Sequence, residues 1–178
     1  MQSEQIKLIP LLMSHCEEFI RYANDPTLWT WWLRKPPTDL AQMQHEVQGA
    51  LEQQEQGTRI AYAIYHLASG TLIGSTSFIN INHTHKSIEI GGTWLAATFQ
   101  KSGINRACKD LLINYAFNEL AMNRVVLQTD ELNVRSRRAI EKLGAQFEGI
   151  ARNDRIVWDG RIRSSAVYSI LREEWKWT

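Results

Sequence analysis

The residues best placed to do chemistry lie between positions 89 and 105. Gln100-Lys101-Ser102-Gly103 ends one apolar segment and runs directly into a stretch with helical spacing. A helix start exposes unpaired amides and the positive end of the backbone dipole, so such a turn suits an anion. Gly103 lets the backbone approach that anion closely. Two familiar phosphate loops are excluded. A Walker-type loop needs glycine directly before its Lys-Ser pair, where Gln100 stands, and a dinucleotide fingerprint needs three glycines, of which only Gly103 is present. Upstream, Gly91-Gly92 interrupts the strand-like run "SIEIGGTWL". Paired glycines in a strand mark a bulge. A bulge there would bend the strand from its neighbour and free amides and carbonyls for something extended and amide-like. Beside an anion-binding turn, that makes a site for a ligand part peptide-like and part diphosphate, the build of coenzyme A. Glu89 alternates with Ile88 and Ile90 and faces opposite them. It is either solvent-exposed or able to take an amine's proton through water.

The elements that must position these groups follow from periodicity. Ile6 to Leu11 reads as a first strand. A helix follows from Ser14, a candidate N-cap, to about Asn24, with Pro26 closing the segment. Asp39 caps a second helix with Leu40, Met43, Val47 and Ala50 on one face and Gly57 as its stop. Residues 60–67 and 72–81 form a hairpin across Ala68-Ser69-Gly70-Thr71, and residues 87–95 form a fourth strand. Ile104, Ala107, Cys108, Leu111, Leu112 and Tyr115 trace a helical stripe on which Cys108 packs as a small hydrophobe. Residues 124–130 are a short buried strand. Asn133 caps a helix ending at Gly144, and two last strands flank Trp158-Asp159-Gly160. This order predicts an α/β (α+β) fold: one domain over residues 1–178, with a mixed, mostly antiparallel sheet splayed at its bulged fourth strand and helices on its faces.

Bulk properties narrow the function. A chain of 178 residues, 44% apolar and 22% charged, fits one soluble domain. No apolar run approaches the ~20 residues needed to span a bilayer, so no membrane partner is expected. The N-terminus lacks a basic start before its apolar patch, which argues against a secretory signal. Two cysteines make no disulfide framework, and the cytoplasm is the expected location. A net charge of +1 argues against nucleic acid. The charge is uneven: residues 101–178 carry 14 Lys+Arg against 10 Asp+Glu, and residues 1–100 carry 6 against 9. A positive excess in the half with the loop suits a small anionic ligand better than a long polyanion. His83 and His85 have no third ligand at useful spacing, so no metal is expected.

On "WLAATFQKSGIN" and the order of elements, the chain resembles the GNAT superfamily of acyl-CoA-dependent N-acetyltransferases. It is most similar to the Rim-type branch, which acetylates ribosomal-protein N-termini. That likeness runs through "EIGGTWL", "FQKSGIN", "NVRSRRAIEKLGAQFEGIAR" and "DGRIRSSAVYSILREEW". The family loop reads Gln/Arg-x-x-Gly-x-Gly/Ala, matched by Gln100 and Gly103, with Asn105 where a small residue is usual. The resemblance implies that amides of Lys101, Ser102, Gly103, Ile104 and Asn105 hold the pyrophosphate of acetyl-CoA, and that Trp94 and Leu95 offer main-chain bonds to pantetheine. Asn133 would help to orient the ligand. Many members place a tyrosine acid seven positions after that asparagine, where this chain has Ile140. The resemblance then makes Ser136 the proton donor to the departing thiolate. Read alone, Asn133 and Ser136 are an ordinary cap and first turn.

Lys101, Arg106, Arg135 and Arg138 could contact cofactor phosphates, and the pattern singles out none of them. Trp29, Trp31 and Trp32, in "LWTWW", exceed what a short segment needs for its core. They are read as core, as a subunit contact such as a homodimer, or, since the resemblance places this region beside the acceptor, as a wall of the acceptor pocket, with pocket or contact favoured over core. The reading is acetyl transfer from acetyl-CoA to a primary amine, either a protein N-terminus or a small molecule, by direct attack in a ternary complex. No motif signals a covalent enzyme intermediate. The rivals are a non-catalytic acyl-CoA sensor and a nucleotide-binding domain.

Overall fold

A computed structural model describes residues 1–176, so the last two positions of the expected 1–178 domain lie outside the described residues. The elements follow the expected order: β1 (Ile6–Pro10), α1 (Cys16–Ala23), α2 (Leu40–Glu55), β2 (Arg59–His66), β3 (Thr71–Asn82), β4 (Ser87–Leu95), α3 (Ile104–Asn118), β5 (Arg124–Asp130), α4 (Val134–Glu141), β6 (Gln146–Ile156) and β7 (Ile162–Leu171). Seven strands form one sheet in the order β1-β2-β3-β4-β5-β7-β6. Every neighbouring pair is antiparallel except β4 with β5. This is the splayed mixed α/β fold that the pattern predicts.

Strand alternation divides the apolar side chains between two faces. Ile64, Ile73, Phe78, Ile88 and Ile90 pack with α3, with Ile140 of α4 and with Leu143 just beyond that helix. Ala61, Ala63, Leu72 and Trp94 point the other way, onto Phe19 of α1 and Met43 and Val47 of α2. Each large side chain so buried stabilises the fold by about 1.5–3 kcal/mol. Tyr168 is fully buried yet satisfied, because its hydroxyl accepts from Arg137 Nε and donates to Glu141 Oε1, each at 2.9 Å. Burying such a group without partners would cost more than its ring gains.

Two local expectations change. Ser14 does not cap α1: it lies inside a short 3-10 turn, Met13–His15, whose entry is held by the Leu12 N–H donating to His15 Nδ1 at 3.2 Å. Leu40 is 36% exposed, while Met43, Val47 and Ala50 carry the buried face of α2. The stops hold as read: Asp39 Oδ1 accepts from the Gln42 N–H, and Gly57 takes a left-handed φ of +72°.

Candidate active site

The site begins where the sheet comes apart. β4 and β5 pair only at Ser87↔Arg124, Ile88↔Val125 and Glu89↔Val126. β4 continues to Leu95 and β5 to Asp130, so the facing edges diverge. The bulge that turns β4 away is on its other side. Ser77 lies opposite Gly91 but Ser75 opposite Trp94, so Thr76 alone faces two residues of β4. Gly92 supplies the left-handed φ of +57° that this needs. A close approach secures the strand beyond the bulge: a Cβ on Gly74 would stand 2.1 Å from the Trp94 carbonyl oxygen. The Ala96 N–H donates to the Ile73 carbonyl at 2.8 Å. Peptide groups alternate sides along a strand, so those of Trp94 face β3 and those of Leu95 face the wedge. The Leu95 carbonyl accepts from Gln100 Nε2 at 3.2 Å, leaving its N–H on the open edge.

The turn before α3 is built as an amide cradle. Lys101 and Gly103 both adopt left-handed φ, +62° and +88°, which curls the chain before the helix begins. The Gln100 N–H is bonded to the Ala97 carbonyl, and helical bonding resumes with the Ala107 N–H on the Gly103 carbonyl. Among the described residues the amides of Lys101, Ser102 and Gly103 find no acceptor. That of Ile104 meets only Ser102 Oγ, at 3.5 Å. A row of unpaired amides at a helix start is an anion site. The side chains divide. Lys101 and Asn105 line the cleft, whereas Ser102 turns back to the Phe99 carbonyl at 2.6 Å and Ile104 is core.

α4 closes the cleft from the other strand. Asn133 Oδ1 accepts from the Ser136 N–H at 3.1 Å, the cap expected of it. The Ser136 hydroxyl has no hydrogen-bond partner among the described residues, and both residues line the cleft. Ile140, where a tyrosine acid would stand, is buried in the core. Gln100 joins the two walls, since its Oε1 accepts from Arg135 Nη1 at 2.6 Å.

Glu89 is buried, 6% exposed, rather than solvated. One oxygen accepts from Asn80 Nδ2 at 2.7 Å, and the residue lines the cleft. The tryptophans form its far wall. Trp29 is 4% exposed, donates from Nε1 to the Ala23 carbonyl at 2.7 Å, and stacks edge-on with Trp32, their centroids 4.9 Å apart. Trp31 and Trp32 are half-buried on the same wall. Trp29 also contacts the Trp94 ring, tying the loop to β4. The cleft as a whole is about 1360 Å³.

Sequence reasoning missed two groups here. Lys109, on α3, is 8% exposed, and its Nζ donates to Thr93 Oγ1 at 2.6 Å. Thr93 Oγ1 in turn lies 2.7 Å from Thr76 Oγ1, opposite the bulge. Burial pushes the Lys109 ammonium below its usual range. Arg59, the first residue of β2, bonds Ser77 Oγ through Nε at 2.8 Å and brings Nη2 to Gly92. Neither lies near a motif, and only three-dimensional proximity to Gly92 and Thr93 marks them.

The Acetyltransferase (GNAT) domain family matches residues 5–146, and the chain belongs to that family. It is 37% identical over 110 residues to YdaF of Bacillus subtilis (strain 168), whose name gives it provisionally as a ribosomal N-acetyltransferase. That match spans 62% of this chain and 59% of YdaF. A solved structure from T. thermophilus, described provisionally as an acetyltransferase, is 34% identical with a TM-score of 0.87 over 98% of this chain and 89% of that one. A GCN5-related N-acetyltransferase from Brucella melitensis is 26% identical with a TM-score of 0.90, covering 98% of this chain and 79% of that one. The chain spans about three fifths of the length of YdaF, and what the comparisons give it is the acetyltransferase family itself. No helix among the described residues is long and apolar enough to cross a membrane.

Proposed function

We propose that the chain transfers an acetyl group from acetyl-CoA to a primary amine by direct attack, as the Rim-type resemblance suggests. The observation that carries this is the meeting of Glu89, Ser136 and the unpaired edge of β4 on one cleft. The residues present fit acetyl-CoA. The free amides of 101–103 match a pyrophosphate, and the diverged edge of β4 matches the amides of pantetheine. When bound, acetyl-CoA supplies the thioester carbonyl. Glu89 takes, through water, the proton that the amine nitrogen sheds as its C–N bond forms. Its oxygen bonded to Asn80 fixes the carboxylate, and the other is free to accept. The Leu95 N–H polarises the carbonyl oxygen, and the Ser136 hydroxyl donates to the sulfur as the C–S bond breaks. No side chain need be acylated.

Free thiol and acceptor mass, followed with acetyl-CoA and a panel of amines and N-terminal peptides, test the reading. Thiol release matched by an added acetyl group on one acceptor supports it. CoA binding without thiol release on any acceptor would assign a sensor instead.

A further inference from the structure

One amine of this chain already stands on the cleft. Lys109 lies on α3 one turn beyond Asn105, and both residues line the cleft. Residues four apart share a helix face, so the face that leads away from the amide cradle carries Lys109 inward. The residue is 8% exposed, and its Nζ donates to Thr93 Oγ1 at 2.6 Å. Thr93 stands on β4 between the bulge and Leu95, past the point where pairing with β5 ends at Glu89. The nitrogen is thus held against the stretch of β4 that the proposed reading gives to the acyl end of the cofactor.

The surroundings favour the neutral amine. An ammonium has three donors to satisfy, and Thr93 is the one acceptor that meets Nζ among the described residues. No carboxylate of those residues comes within ion-pair distance of it. From the sheet, β4 and β3 present the hydroxyls of Thr93 and Thr76. Cys108, the titratable group that acts on it, is a buried thiol whose own pKa is raised, so it carries no charge at neutral pH. A lysine ordinarily keeps its head in water or in an ion pair. This one has neither, and burial lowers its pKa. A desolvated lysine amine is a nucleophile.

We propose that Lys109 is itself an acetyl acceptor, modified by the acetyl-CoA bound in its own cleft. Its Nζ forms the C–N bond to the thioester carbonyl carbon as the C–S bond breaks. The proton that the nitrogen sheds goes to the departing sulfur, leaving free CoA thiol and an Nε-acetyl-lysine. The product is an amide that does not pass the group on, so Lys109 is a modification site and not a carrier toward outside amines. Its remaining N–H keeps a donor for Thr93. This rests on the reading of the cleft as the acetyl-CoA site.

The protein, incubated with acetyl-CoA and no added amine, is digested and its lysines are mapped by mass. Lys109 should gain an acetyl group about tenfold or more faster than the exposed Lys7, Lys35, Lys86 and Lys142, because it is held beside the donor. Excess CoA should suppress that mark and leave the others. Trace acetic anhydride without CoA reads the amine alone: the pH of half-maximal labelling should be lower for Lys109 than for the exposed lysines. Lys109 left unmarked, marked no faster than those lysines, or half-labelled at or above their pH overturns the proposal. Thiol release to an outside amine with Lys109 unmarked removes this site and leaves the transfer reading. A marked Lys109 with no turnover on any outside amine does the reverse.

Discussion

Arg135 Nη1 donates to Gln100 Oε1 at 2.6 Å, joining the first turn of α4 to the loop that opens α3 across 35 residues of sequence. The same glutamine donates from Nε2 to the Leu95 carbonyl. One side chain thus fixes the spacing between the strand edge, the amide cradle and the serine helix.

Gln100→Ala should therefore loosen all three at once. CoA affinity is expected to fall about tenfold while the melting temperature changes little, because the lost hydrogen bonds are half-exposed. Calorimetric titration with CoA checks this, and unchanged affinity would show that the bridge is ornamental.

Ser136→Ala should lower kcat by about a hundredfold and leave CoA affinity within about twofold, since the hydroxyl is assigned only to the departing sulfur. Its backbone N–H still reaches Asn133, so the cap survives. A variant with normal kcat would remove the role.

Glu89→Gln keeps an oxygen for Asn80 Nδ2 and so preserves the fold. It should cost about a hundredfold in kcat near neutral pH. The deficit should shrink as pH rises, because more of the amine is already neutral. A rate loss independent of pH would point to a positioning role instead.

Gly74→Ala places a Cβ 2.1 Å from the Trp94 carbonyl oxygen, a backbone atom that cannot move alone. Gly91→Ala meets no backbone atom: its nearest neighbour is the end of the flexible Ile79 side chain, at 2.5 Å, with Glu89 Oε1 at an ordinary 3.6 Å. Urea titration should find the first destabilised by about 3 kcal/mol or more and the second by clearly less. Equal losses would contradict the close approach.

Lys109 gives a pH signature. Burial lowers its pKa in the folded state, so between that value and the unfolded ~10.4 the unfolded chain binds more protons. Stability contributed by this residue is full above that window and is lost as pH falls through it. Relative to Lys109→Met, the wild-type protein should gain melting temperature as pH rises toward about 10. Parallel curves for the two proteins would mean that Lys109 is not desolvated.

The readable parts of the site were local in sequence. Gly103 before an apolar stripe, the Gly91-Gly92 pair and the Asn133 cap each need only neighbouring residues to be understood, and each is found as read. Glu89 was half readable. Alternation gave its face, but its burial depends on Asn80, nine residues away on the neighbouring strand. Lys109 was invisible because α3 is buried on more than its apolar stripe: Ile113, Ala116 and Phe117 also face the core. A lysine one position after Cys108 therefore cannot be assumed to face water. Arg59 is equally illegible, since it owes its setting to Ser77 on the neighbouring strand.

The three-residue pairing of β4 with β5 also bears on solubility. An unpaired strand edge ordinarily invites a strand from another molecule and so promotes aggregation. Here the two edges opened by the splay face each other across the cleft, walled by α3, α4 and the tryptophan loop. A foreign strand would have to enter end-on between them. Hydrogen-bonding backbone thus stays open inside the cleft without forming an exposed sheet edge there.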